Sequence, residues 1–325
     1  MVLKRSILIL ILAALPAFAG SEQPFNPGDV VSVGPICAPL AGCNGFGGAL
    51  FRRGSFSPSR FPSGTFRYPM PAGRVTYSPA LNRMILDTYS GPTYATLEIL
   101  DADGHMTPLL TLPPMARVTA LAGVGHEILA VVLLYAPYRY ELWRISATDG
   151  TVTEQIGLPF SAPPLAIRDI TSIDLAADRC TLAYIVPGDV VHRYDICARR
   201  RLEDAATWPA SAVRFLPQGN LLVVEGHPSI LPLCSVCDLP TLRLARYDRE
   251  GRLVSTTDMQ GIRAITLDPE GSTVWMAVSG SLMAVNASSG AVVAGPWLES
   301  GTGVAVAGEW RAAEHPPARE RAIRH

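Results

Sequence analysis

Apolar and polar positions alternate over most of this chain in short runs, and the runs repeat on one plan. A short apolar strand is followed by a turn, a second apolar strand, a loop and two more polar strands. The clearest copy is Ala264-Ile265-Thr266-Leu267-Asp268-Pro269-Glu270-Gly271, then Ser272-Thr273-Val274-Trp275-Met276-Ala277-Val278, then Ser281-Leu282-Met283-Ala284-Val285-Asn286. Residues 213–224 and 173–185 follow the same order, and residues 74–79 and 117–121 open weaker copies. Val75, Val118, Ile173, Val213, Ile265 and Val304 anchor successive copies, 39 to 55 residues apart and about 46 on average. Four strands in that length make one propeller blade.

The chain ends complement one another. Residues 303–307 read as a first strand with no partner strands after them. Residues 28–33, 49–52 and 65–68 read as a second, third and fourth strand with no first. Pairing the C-terminal strand with the N-terminal three closes a ring and removes its open sheet edges. The expected fold is therefore all-β, a single β-propeller of six blades over residues 20–309. Residues 310–325 read as a disordered basic tail.

Composition supports a turn-rich globular chain. Of 325 residues, 48% are hydrophobic and 17% charged, with 28 Gly and 28 Pro. The net charge of −1 points to neither nucleic acid nor an anionic membrane as a partner. Lys4 and Arg5 precede an apolar run over residues 7–15, and Pro16 then leads to Ala17-Phe18-Ala19. This is the pattern of a secretory signal peptide cleaved after Ala19, and the run is too short to span a bilayer. The expected location is periplasmic or extracellular, for a monomer without a membrane span.

Six cysteines suit that compartment and fall in close pairs: Cys37-Cys43, Cys180-Cys197 and Cys234-Cys237. Cys180 and Cys197 flank a hairpin turn, so they are expected to bridge neighbouring strands. Cys234-Ser235-Val236-Cys237 is a CxxC with three open readings, namely a loop staple, a redox dithiol or part of a metal site.

The unit Leu267-Asp268-Pro269-Glu270-Gly271…Val274-Trp275-Met276-Ala277 resembles the repeats of the NHL, SMP-30/gluconolactonase and streptogramin-lyase propellers. The resemblance implies a propeller fold. In the SMP-30 group it also implies a central metal held by Glu, Asn and Asp from different blades, a set that no motif places here.

Loops joining the second and third strands of each blade share one face with the loops between blades. Two such loops read as long, 33–48 and 226–240, and each carries a cysteine pair. Ordered loops on a rigid scaffold suit recognition. On that face Asn44, Phe46, Tyr135, Tyr138, His227 and Asp238 are the candidate contacts. Glu225, His227 and Asp87 are the candidate acid–base or metal-binding set, since alternation puts Glu225 and His227 on one side of a strand. His105, His126 and His192 read as isolated surface or packing residues, and Asn286-Ala287-Ser288 is an acceptor sequon by pattern.

The sequence contains no G-x-S-x-G, phosphate loop, H-E-x-x-H or dinucleotide fingerprint. The leading expectation is a non-catalytic binding module for a protein, peptide or glycan. The alternative is a calcium- or zinc-dependent hydrolase or lactonase with its site at the channel mouth, and a redox role for Cys234/Cys237 is a third.

Overall fold

The computed structural model describes residues 24–38, 42–53, 67–68, 74–89, 95–159, 169–186, 189–205, 208–226, 241–278, 281–297 and 302–314. These residues form six four-stranded antiparallel sheets and contain no α-helix. Accordingly, none of them forms a helix long and apolar enough to cross a membrane.

Blade 1 joins β1 (Val30–Ala38), β2 (Gly42–Phe51) and β3 (Arg67–Tyr68) to the last strand, β24 (Gly303–Val306). Blade 2 is β4 (Val75–Ser78), β5 (Arg83–Tyr89), β6 (Ala95–Leu100) and β7 (Met106–Thr111). Blade 3 is β8 (Ala116–Val124), β9 (Glu127–Tyr135), β10 (Tyr138–Ser146) and β11 (Val152–Gly157). Blade 4 is β12 (Ser172–Leu175), β13 (Thr181–Ile185), β14 (Val191–Asp195) and β15 (Arg200–Arg201). Blade 5 is β16 (Ala210–Phe215), β17 (Leu221–Glu225), β18 (Thr241–Tyr247) and β19 (Leu253–Gln260). Blade 6 is β20 (Ile262–Leu267), β21 (Thr273–Val278), β22 (Ser281–Asn286) and β23 (Val292–Trp297).

The first strands β24, β4, β8, β12, β16 and β20 pack side by side around the axis in that order and return to β24. All six sequence anchors lie on them. The hydrophobic gradient runs outward from this ring. β4, β12 and β24 are buried at every position, as is the second strand β17, whereas the fourth strands β15, β19 and β23 are largely exposed. A strand walled on both faces is apolar throughout, and an outer edge strand is not.

The ring closes as the chain ends predict. Val30 pairs with Val306 and Val33 with Gly303. Val30, Phe51, Val304 and Val306 pack with Ala277 and Leu282 of blade 6. Trp297 sits 5.6 Å from Phe51 and stacks at 5.8 Å on Trp275, covering the seam between blades 6 and 1.

The Asp-Pro-Glu-Gly unit has a local cause. Asp268 Oδ1 accepts the Ser272 N–H at 2.7 Å and so fixes the turn between β20 and β21. Asp178, Asp195, Asp248 and Asn286 cap other turns on the same face in the same way. Gly123 has a different constraint, because a Cβ there would lie 1.9 Å from the Tyr77 carbonyl where β8 crosses β4.

Two sequence expectations are corrected. Residues 33–48 are mostly ladder and not a long loop. β1 and β2 stay paired to Ala38 and Gly42, with Cys37 opposite Cys43 after a register shift between Pro35 and Cys37. The Gly- and Pro-rich stretch hides the two-residue alternation on which strand reading depends. The tail is also ordered at its start, since Trp310, Arg311, Ala312 and Ala313 are buried. Its charges suggest solvent, yet they are paired internally. Residues 315–325 lie outside the described residues.

Candidate binding site

First strands begin, and second strands end, at one mouth of the central channel. At the opposite mouth the C-terminal segment forms a plug. Trp310 N–H donates to the Asp268 carbonyl (3.1 Å), Gly125 N–H donates to Glu314 (2.7 Å), and Arg179 donates to the Ala313 carbonyl (3.0 Å). Residues 308–314 therefore tie blades 6, 3 and 4 together across that mouth.

Arg311, only 1% exposed, projects from the plug. Its guanidinium donates to Asp174 (3.0 Å), Thr76 Oγ1 (3.3 Å) and Glu309. Glu309 also accepts from Thr266, and Asp174 accepts the Phe215 N–H at 2.7 Å. Burial lowers the Arg311 pKa to about 10, which leaves it cationic near neutral pH. The plug thus places one cation against two carboxylates, all buried.

The other mouth opens into a cavity of about 430 Å³. Its walls come from the first strands: Arg74 before β4, Thr171 and Ser172 at β12, Ser211 near the start and Arg214 near the end of β16, Arg263 on β20 and Thr302 before β24. Val75, Leu121, Ile173, Ile265 and Val304 supply apolar wall. Its charged lining residues are three arginines, with no carboxylate or histidine.

The three arginines differ in their partners. Arg74 is neutralised by Asp87 at 3.1 Å. Arg214 donates through one nitrogen to Val213 O (2.9 Å), Ile173 O (3.2 Å) and Ser172 Oγ (3.5 Å), all of them uncharged. Its Nε has no partner among the described residues. Burial pushes its pKa down, against the pull of Asp174. Arg263 is exposed, and no described residue pairs with it.

The sequence candidates settle as follows. Asp87 is fully buried and held by Arg74, whose N–H and guanidinium both donate to it, and burial raises its pKa. Glu225, 1% exposed, accepts from Arg243 (2.7 Å) and Tyr247. Neither carboxylate lines the cavity, and they belong to blades 2 and 5 on opposite sides of the ring. His227, Asp238, Cys234 and Cys237 lie outside the described residues. Asn44 and Phe46 fall on β2, where Phe46 pairs with Pro35 and Tyr68.

Tyr135 and Tyr138 end β9 and begin β10, with ring centres 6.2 Å apart. Arg117 lies over Tyr135 at 5.7 Å and pairs with Asp169, which also accepts the Tyr140 hydroxyl at 2.8 Å. His192 is not isolated, because it is buried between Asp189 (3.2 Å) and Asp204 (3.1 Å).

Cys180 and Cys197 form a disulfide with a Cα separation of 5.2 Å. It joins the ends of β13 and β14 on the plugged face. Two groups of close ligand atoms occur among the described residues, Cys180/Asp195/Cys197 and Asp101/Asp103/His105. The first contains the disulfide and the second is a turn between β6 and β7, so neither lies in the channel.

Sequence reasoning missed Arg74, Arg214, Arg263 and Arg311. A signal for part of this set exists. The residue after each apolar anchor includes Thr76, Asp174, Arg214 and Thr266, and these meet the plug or line the cavity. A polar residue at a repeated position of a buried strand marks the axis.

No family model matches the chain, and no curated protein matches it. Solved structures do. A Bacteroides caccae protein of unknown function has a TM-score of 0.58 at 13% identity, over 86% of this chain and 98% of that one. TolB from Acinetobacter baumannii has a TM-score of 0.61 at 12% identity, over 86% of this chain and 66% of TolB. The WD40 domain of Toxoplasma gondii coronin has a TM-score of 0.52 at 10% identity, over 85% and 70%. At such identities the likeness carries the fold alone. It supports a six-bladed β-propeller and does not show the NHL or SMP-30 resemblance.

Proposed function

We propose that this protein is an exported, monomeric β-propeller that binds a protein, peptide or glycan through its open face and performs no catalysis there. One observation carries the reading. Met115, Tyr135 and Trp208 are 52%, 41% and 55% exposed, and all three sit at strand ends or blade junctions of the open face. Large apolar side chains held in water on a rigid scaffold mark a contact surface. Arginines accompany two of them, with Arg243 over Trp208 at 4.4 Å and Arg117 over Tyr135. The staples Cys37-Cys43 and, outside the described residues, Cys234-Cys237 are proposed for the same face. Export through residues 1–19 supplies the oxidising compartment those staples need.

Photo-crosslinking residues placed at Trp208, Tyr135 and Val292 in exporting cells test the reading. Val292 is 56% exposed but lies on the outer edge of blade 6. Discrete adducts at 208 and 135, absent at 292, are expected, on a protein whose N-terminus is Gly20. Adducts at 292 alone or at none of the three, or an uncleaved N-terminus, contradict it.

A further inference from the structure

We infer that the open end of the channel is a binding site for an oxyanion, a carboxylate or phosphate group on a compact ligand, gripped by Arg214 and Arg263 beside Arg74. The inference rests on the preceding reading in one respect: the ligand enters from the same face.

The argument begins with Arg214. A guanidinium stays protonated at physiological pH. Half-buried and with no carboxylate hydrogen-bonded to it, it carries a desolvation penalty that neutral oxygens offset only in part. Asp174, whose charge acts on Arg214, already accepts from Arg311 and from the Phe215 N–H. Arg214 therefore lines the cavity with no carboxylate hydrogen-bonded to its guanidinium.

Arg263, from the neighbouring blade, brings a second cation without a partner among the described residues. Hydroxyls complete the donor set. Thr171, Ser172, Ser211 and Thr302 donate to main-chain oxygens at 3.3–3.5 Å, and such long bonds leave the protons free to swing to an incoming anion. No carboxylate lines the cavity to repel it. Arginine pairs recognise planar carboxylate and tetrahedral phosphate alike. The volume of about 430 Å³ and the apolar wall suit a ligand with a short hydrocarbon portion.

The test is a thermal and calorimetric titration of the purified exported protein with inorganic phosphate and, separately, succinate. Ionic strength is held constant with chloride, so that screening does not imitate binding. Saturable binding of at least one anion is expected, with a matching rise in melting temperature. Phosphate alone identifies a phosphate site, and succinate alone a carboxylate site.

Arg214→Gln and Arg263→Gln should each weaken binding by about tenfold or more. Arg53→Gln, which breaks an exposed pair with Glu270 remote from the channel, should not. Arg263 is exposed, so its variant stays informative even where Arg214→Gln folds poorly. Binding of neither anion, or equal binding by all three variants and the parent, overturns the inference. Adducts at Trp208 with no anion binding would remove this site and leave the binding-module reading standing. Anion binding without adducts would do the reverse.

Discussion

At the plugged end of the channel Arg311 meets two buried carboxylates, and at the open end Arg214 meets only uncharged oxygens. Both ends are built by the same first strands, and Asp174 and Arg214 follow their anchors by one residue on neighbouring strands. The fold therefore does not decide where charge is satisfied; the residues at one repeated position do. A buried charge with its partners in place holds structure, whereas one without them is tolerated where something else supplies the partner.

The largest effect should come from breaking the plug. Arg311→Met leaves Asp174 and Glu309 buried without their cation and should lower unfolding free energy by about 3–5 kcal/mol, read by denaturant unfolding. Removing the Cys180–Cys197 bridge with paired serines acts on the same face. Its closed segment spans 17 residues, and its loss should lower stability by about 2–4 kcal/mol. The open end should behave in the opposite sense. Without ligand, Arg214→Gln should range from no change to a gain of about 1 kcal/mol, because a half-buried charge with no hydrogen-bonded carboxylate is removed. A loss above about 2 kcal/mol would place Arg214 with the structural charges.

The smallest effect concerns Tyr184 of β13, whose pKa burial raises to about 12. The neutral phenol is the form the fold favours. Its contribution is complete below the unfolded value near pH 10 and is lost as pH rises through about 12. Tyr184→Phe should change stability at pH 7 by less than about 1 kcal/mol and flatten the loss between pH 10 and 12.

The fold was legible because its signals are local and repeated. Six apolar anchors, Asp-Gly turns and complementary ends each report on their own segment, and together they specify blade count and closure. The site was less legible. Asp87 and Glu225 look available in sequence because their arginine partners are 13 and 18 residues away, on other elements. The plug was hidden for the same reason, since Arg311 finds Asp174 across 137 residues and reads as surface charge until the ring is closed. Charge patterns in sequence show which groups exist. Which of them are paired depends on contacts that only the closed propeller creates.

The most direct measurement follows the Nε–H resonances of Arg214 and Arg311 by NMR during one phosphate or succinate titration. The account predicts a saturable shift for Arg214 and a stationary signal for Arg311, because only the first lines the cavity, whereas the second is held by Asp174 and Glu309. Two stationary signals with both anions, or two that move together, would contradict it.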